Sequence, residues 1–428
     1  MRDRAATVPV RRRVAGLALP VVVMMLASAC LAVSDAGSSA GGEGVSAGAT
    51  KPEYQRVFGG VEPIELTLQS PSSPGVGGSV HIEAYADALR EWSGGKLDVE
   101  IAYANAIAGP DDAPSALADG RVDMDYLYPL YEPSRFPANG ALAKASLLGE
   151  HGPVAGTLQA LGAYLETGMS TPEISDELSY EGIRMLLPYG PTTSLALMCT
   201  EPRDSLAELQ GAQVRVSGSA HAVQAEALGM SPVSLPYSEI YEALQRGTID
   251  CAMGNGWSNG PLGIVPLAPH YTIDADTGFA RLPFAIGFGQ AEWESLPLVA
   301  RQLIHDRLDV YIERMLSDYI WPAMQEAAGQ MAEHGGEFND FASDVERPLR
   351  ETNRELLDDV RNSKALDGER FLNDVNAALE KWKGIVEEMS IPAVPDAEFA
   401  GWYREGRIDL DGFMERIRSE VLHAHRPR

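Results

Sequence analysis

Apolar positions along this chain follow two periods, and the switches between them lay out the elements. Residues 64–69 (IELTLQ) alternate between apolar and polar, as a half-buried strand does. His81, Ala84, Tyr85, Ala88, Leu89 and Trp92 then recur at helical spacing up to Gly94 and Gly95, where a helix should stop. KLDVEIAY predicts a second strand, 111–119 a short helix closed by Gly120, and RVDMDYLY a third strand. Strands alternating with helices predict an α/β fold with a mainly parallel sheet covered by helices.

A second series of the same kind begins near residue 181. GIRMLLPY and SLALMCT are apolar runs of strand length, and SLAELQG has Ser205 and Glu208 in capping-box spacing. AQVRVSG reads as a strand, SAHAVQAEALG and SEIYEALQRG as helices, and TIDCAM as a strand again. One phrase occurs in both series: a helix end, Gly, one residue, then Val or Ile followed by Asp. It is SALADGRVDMDY at 115–126 and EALQRGTIDCAM at 242–253. The Gly supplies the left-handed turn that ends a helix. The repetition suggests two similar α/β lobes, and such pairs commonly hold a ligand between them. From about 295 to 331 the apolar period is helical and long, with Pro322 expected to kink or split it. Two amphipathic helices are expected over roughly 343–363 and 368–389, then a helical tail over 392–428.

Composition narrows the partners. The 428 residues are 45% hydrophobic and 22% charged, with a formal net charge of −27. Such a surface repels nucleic acid and anionic lipid, so nucleic acid is not an expected partner. Residues 1–29 read as a signal peptide, with Arg11, Arg12 and Arg13 before the apolar VAGLALPVVVMMLASA. Ala27-Ser28-Ala29 suits ordinary cleavage, while Cys30 suits a bacterial lipobox with its leucine one position early, at Leu26. The expectation is an exported chain, periplasmic or at the cell surface, anchored by a lipid on Cys30 through a flexible tether over 30–60. Cys199 and Cys251 either pair in a disulfide, as export permits, or stay as buried thiols.

Catalytic signatures are missing: no G-x-S-x-G, no H-E-x-x-H and no P-loop. The eight histidines are scattered without metal-ligand spacing. No enzyme activity, cofactor or metal is therefore expected. Arg215 carries the chemistry instead. On its strand, Val214 and Val216 point to one face and Arg215 to the other, just before a helix start at Ser219. Ligands of open α/β sheets bind at such strand ends, and a buried Arg needs a negative partner. That partner is either a ligand carboxylate, which the planar fork suits, or a protein acid such as Asp250. An exposed Arg is the other plain alternative. The loop MGNGWSNGPLG supplies Asn255, Asn259 and Trp257 for hydrogen bonds and stacking, or is simply a Gly-rich loop with a packed Trp. Tyr237, and the cluster Tyr126, Tyr128 and Tyr131, are further candidates, with ordinary packing as the competing account.

These residues carry a resemblance. LAELQGAQVRVSGSAHAVQAEALGMSPVSLPYSEIYEALQRGTIDCAM resembles the signature region of the solute-binding proteins of tripartite ATP-independent periplasmic (TRAP) transporters. Gly229, Pro232, Pro236, Ser238, Glu239, Tyr241, Ala243, Leu244, Gly247 and Asp250 match, as do ALADGRVDM and the start of the long helix at Trp293, Leu296 and Pro297. The resemblance, which covers about 64–390, implies a two-lobed periplasmic-binding-protein-like fold with hinge strands and a long lobe-spanning helix. Lobe one would be 61–190 with about 280–321, lobe two 191–279 with about 322–390, and 391–428 a C-terminal helical extension. It implies an organic acid ligand, salt-bridged by Arg215 and packed by Tyr237, delivered to the membrane permease of a TRAP transporter. The binding residues expected on this footing are Arg215, Tyr237, Asn255, Trp257, Glu239, Tyr128 and Tyr189. Two departures bear on the ligand: CAMGN replaces the family's usual run after the Asp, and TTSLAL lacks a second cleft Arg that some members carry. One cation and a nearby Trp point to an apolar or aromatic monocarboxylate. The competing functions are a receptor for a different permease or a sensor, and an exported α/β hydrolase.

Overall fold

The computed structural model describes residues 42–256, 262–273 and 277–428. The expected signal peptide, Cys30, the first part of the tether, Trp257 and Asn259 lie outside the described residues.

Two sheets organise the chain. The first has strands in the order β2 (Leu97–Ala102), β1 (Ile64–Gln69), β3 (Met124–Leu127), β10 (Ala285–Gly289) and β4 (Ile183–Leu187). The second runs β11 (Phe338–Asn339), β9 (His270–Thr272), β5 (Leu195–Cys199), β8 (Cys251–Asn255), β6 (Gln213–Val216) and β7 (Ser231–Ser234). In each sheet a parallel trio, β2-β1-β3 or β8-β6-β7, is joined by a strand arriving from the other lobe, β10 or β5, which runs antiparallel to its neighbours. The chain thus crosses between lobes at 188–194 and again between β9 and β10.

The repeated phrase now has a physical account. Gly120 and Gly247 both take left-handed backbone (φ +69° and +66°) and end their helices. The Asp that follows joins the new strand to its parallel neighbour. Asp123 accepts from Thr67 N at 2.6 Å and donates its own N–H to Thr67 O; Asp250 accepts from Gln213 N at 2.8 Å and donates to Gln213 O. The carboxylate satisfies a backbone donor where the ladder begins, which is why the same Asp recurs.

The long helical stretch is divided. Helices Leu298–Asp306 and Leu308–Arg314 lead into a wider π turn, Met315–Ile320, and then Trp321–Glu333. Pro322 lies in the first turn of that last helix, where its missing N–H costs least, and the π turn precedes it. The stretch does span both lobes: Leu308 to Met324 belong to the lobe-one core, Ala327 and Met331 to a core on one face of the second sheet.

Three expectations need correction or completion. The tether expected over 30–60 gives way to a helix, Lys51–Phe58, because Thr50 and Glu53 form a capping box and Tyr54, Val57 and Phe58 make an apolar face that packs on lobe one. Helices Pro137–Ala145, Ala155–Ser170 and Pro172–Tyr180 fill a region where the pattern predicted nothing. The middle one is buried on nearly every side, so it shows no amphipathic stripe. The tail is helical, but it adds Phe399, Tyr403, Phe413, Met414 and Ile417 to the lobe-one core rather than standing apart. Among the described residues, no helix is long and apolar enough to cross a membrane.

Candidate functional site

A cavity of about 280 Å³ lies between the two sheets. Strand β6 delivers Arg215 to it. Val214 and Val216 bury themselves in the core of the second sheet, so Arg215 is turned to the other face, at 2% exposure. Its Nε donates to Leu235 O (2.8 Å), Nη1 to Met253 O (3.2 Å) and Nη2 to Tyr131 Oη (3.3 Å). Those bonds use three of its five N–H donors. No ion pair engages it among the described residues. Burial lowers its pKa and the Tyr131 oxygen raises it, so the site favours whatever brings a negative charge. The expected alternative, pairing with Asp250, is not what the structure has: that carboxylate is bound to Gln213 N at the opposite end of the strand.

The walls are aromatic. Tyr126, Tyr128 and Tyr131 come from the end of β3 and the turn after it, Tyr237 from a single 3-10 turn (Tyr237–Glu239), Tyr319 from the π turn and Phe284 from the second crossing. Tyr128 stacks on Tyr131 at 5.2 Å and meets Tyr237 at 5.6 Å. Burial raises the pKa of all five tyrosines, so they present neutral hydroxyls. His81 backs this wall: it contacts Tyr126 Oη at 2.5 Å, and burial pushes it down to about 3, so it too is neutral. Among the described residues that line the cavity, Arg215 is the one cation and there is no carboxylate.

The two lobes touch across the cavity. Arg215 reaches Tyr131, and Asn105 Nδ2 donates to Tyr237 Oη at 2.9 Å. Gly218, just after β6, brings backbone against lobe one, where an added Cβ would fall 2.9 Å from Leu130 O.

Of the residues expected from sequence, Arg215, Tyr237, Tyr128 and Asn255 line the cavity. Asn255 also accepts from Thr192 at 3.3 Å. Glu239 does not: it is exposed, on the outer side of the same tight turn that faces Tyr237 inward. Tyr189 does not either, because its ring is buried against Tyr164 in lobe one, 5.1 Å away. Trp257 lies outside the described residues. Sequence reasoning passed over Met315, Tyr319, Phe284, Ser72 and Ser73, all of which line the cavity. Met315 and Tyr319 were visible only as members of a helical apolar face. Cys199 and Cys251 are joined in a disulfide between β5 and β8, where they sit directly opposite each other.

Comparison with known proteins gives this geometry a context. Residues 72–364 match the family described as bacterial extracellular solute-binding protein, family 7. A solute-binding protein of Chromohalobacter salexigens is 24% identical over 238 residues, covering 53% of this chain and 64% of that one. A second relative, an uncharacterized protein of Salmonella typhimurium, is 25% identical over 173 residues, which is 51% of its length. The chain therefore spans less than two thirds of the curated relatives it matches. Among solved structures, a TRAP periplasmic solute-binding protein of Bordetella bronchiseptica with bound (R)- and (S)-mandelate has a TM-score of 0.62 at 21% identity, covering 74% of this chain and 99% of that one. The periplasmic ectoine-binding protein of a TRAP transporter from Halomonas elongata has a TM-score of 0.63 at 16% identity, with 74% and 99% covered. These structures share the fold.

Proposed function

The chain belongs to bacterial extracellular solute-binding protein family 7, and from that premise we propose that it captures a small organic acid in the interlobe cavity and delivers it to the membrane permease of a TRAP transporter. The observation that carries this reading is a buried arginine with no protein counter-ion among the described residues, facing the interlobe cavity. Burying a guanidinium without a negative partner is costly, and a ligand carboxylate removes that cost with two parallel hydrogen bonds.

The lining narrows the ligand. One cation suits one carboxylate. Six aromatic rings suit an apolar or aromatic body, as in the mandelate bound by the Bordetella protein. At about 280 Å³ the cavity sits at the small end of ligand pockets, which run from roughly 300 to 1,000 Å³, so the ligand is compact. On this reading the protein works outside the cytoplasm, held at the membrane by a lipid on Cys30. Mass spectrometry of the mature N-terminus from an expressing bacterium checks that separately: an unmodified N-terminus would remove the anchor and leave the receptor.

The test is a thermal-shift screen of the purified chain against benzoate, mandelate, pyroglutamate, succinate and ectoine. A ligand that binds only the folded form raises the melting temperature. Benzoate or mandelate should shift it and succinate should not. Arg215→Ala should weaken binding by about 2–5 kcal/mol. Tight binding by Arg215→Ala would show that the anchor lies elsewhere, and a response to succinate alone would overturn the single-carboxylate reading.

A further inference from the structure

The run Tyr-Pro-Leu-Tyr after β3 builds a stack of two rings in the cavity wall. Pro129 bars Tyr128 from helical backbone, so the strand ends there and a single 3-10 turn, Pro129–Tyr131, follows. Tyr131 N donates to Tyr128 O at 2.9 Å. Residues three apart in such a turn eclipse one another. The two rings accordingly lie face to face, 15° from parallel, with centroids 5.2 Å apart. Tyr237 (5.6 Å) and Phe284 (6.4 Å) flank Tyr128. Three rings therefore fix the Tyr128 side chain beside the cavity's cation, because its stacking partner Tyr131 is the residue that Arg215 Nη2 reaches.

The cavity tyrosines divide by what engages their hydroxyls. Tyr131 Oη accepts from Arg215, Tyr237 Oη accepts from Asn105, and Tyr126 Oη meets His81. Tyr319 lies flat against the His81 ring. The Tyr128 hydroxyl has no hydrogen-bond partner among the described residues, and it is not sealed in, so it stays accessible where its ring lines the cavity. Water can satisfy it before a ligand enters. A ligand that fills the cavity expels that water and strands the hydroxyl unless the ligand pairs with it. Among the described lining residues, a second carboxylate on the ligand would find no second cation, and an ammonium would find no carboxylate. A neutral hydroxyl fits, because it pairs with a phenol as donor or as acceptor. We propose that Tyr128 determines specificity: its hydroxyl pairs with a hydroxyl on the ligand, so the preferred ligand is a hydroxy-substituted monocarboxylic acid whose carboxylate Arg215 holds. This deepens the receptor reading and rests on it.

The test is titration calorimetry of the purified chain with three acids. Phenylacetate has no hydroxyl, mandelate carries one beside the carboxylate, and 3-hydroxyphenylacetate carries one on the ring. The parent should bind one of the hydroxylated acids roughly five- to fiftyfold more tightly than phenylacetate, the span of one hydrogen bond against a stranded donor. Which of the two it prefers tells where the ligand's hydroxyl sits. Tyr128→Phe keeps the ring and the stack and removes the hydroxyl. It should cut the preference to about twofold or less, while phenylacetate binds as well as before or better. A merely structural role for Tyr128 would weaken all three acids alike and leave the ratio intact. Tyr126→Phe is the control for that outcome, since its hydroxyl is spent on His81 and its loss should move all three affinities together. A preference that survives Tyr128→Phe, or that falls instead in Ser72→Ala, would overturn the assignment. Equal affinity of the parent for the three acids would overturn it too, and would leave the receptor reading standing. No binding of any of them would overturn the aromatic-acid reading and this inference with it.

Discussion

Two arginines among the described residues are almost completely hidden, Arg215 at 2% exposure and Arg281 at 0%, yet they do opposite things. Arg281 lies on the second crossing between the lobes, and both terminal nitrogens of its fork are held by backbone, while its Nε has no partner among the described residues. Nη1 donates to Ser146 O (2.8 Å) and Leu148 O (3.0 Å), Nη2 donates to Glu150 O (2.6 Å), and its own N–H donates to Ser146 Oγ (2.9 Å). It fastens the turn after helix Pro137–Ala145, whose last carbonyls have no helical partner. Arg215 likewise uses three of its five side-chain donors and holds two carbonyls, but a cavity and not packed protein lies beyond its fork. Burial of a cation therefore says little by itself. What accepts its N–H groups, and whether space lies beyond them, separates a structural cation from a binding one.

The comparison breaks most sharply under truncation. Arg281→Ala removes the donor from the Ser146 and Glu150 carbonyls, leaves that of Leu148 to Tyr164 Oη, and leaves a cavity in packed surroundings, so it should lower stability by about 3–5 kcal/mol. Arg215→Ala opens onto space that water can enter, so its unfolding free energy should change by no more than about 1 kcal/mol. Urea unfolding of the two variants with intact slopes measures both. Equal losses would erase the distinction and make Arg215 a structural residue.

A smaller effect sharpens the account of how Arg215 is held. Its Nη1 rests on Met253 O of β8, and β8 is pinned to β5 by the disulfide two residues earlier, at Cys251. Replacing both cysteines with Ala should lower stability by about 2–4 kcal/mol through the freed chain between them. The backbone ladder of β5 and β8 persists without the bridge, so ligand affinity measured well below the melting point should change little. A large loss of affinity at full folding would mean that the bridge, and not the ladder, positions the Arg215 fork.

The contrast also explains what was legible in the sequence. Arg215 stood out because valines flank it on a strand that ends before a helix, so periodicity alone turned it away from the core. Arg281 sits in RLPFAIGF, with no period to assign it a face, and nothing marked it. The helix–Gly–strand phrase located the matching strands β3 and β8, because a left-handed Gly and a ladder-starting Asp are local requirements. The cavity walls are another matter. Met315 and Tyr319 share a helical apolar face with core residues, and only the tertiary arrangement shows which of them meets the cleft. Glu239 and Tyr189 mislead for the same reason: their neighbours face the cleft or the crossing, and they do not. Helix Ala155–Ser170 was illegible because full burial removes the stripe that reveals a helix.

A third buried charge tests the comparison at its mildest. Asp125 is 3% exposed and lies one residue before the Tyr126 of the cavity wall. Burial pushes its carboxyl up to about 7, against the pull of hydrogen bonds from Tyr126 N (2.7 Å) and Gln69 Nε2 (2.9 Å). Unlike either arginine, it can shed its charge. Its folded pKa lies above the unfolded value of about 3.9, so below that value it is protonated in both states and contributes no pH dependence. Between about 4 and 7 the folded chain keeps a proton that the unfolded chain has lost. Stability from this group therefore falls as pH rises from about 4 to about 7 and levels off above it, the reverse of an ordinary ion-paired carboxylate. Asp125→Asn does not titrate, whatever constant offset its amide brings by facing the Gln69 donor. From pH 8 to pH 6 the parent should gain about 1 kcal/mol on this variant in urea unfolding. A difference that stays flat over that range would mean that the two hydrogen bonds keep Asp125 ionised, as fixed in its charge as Arg215 and Arg281.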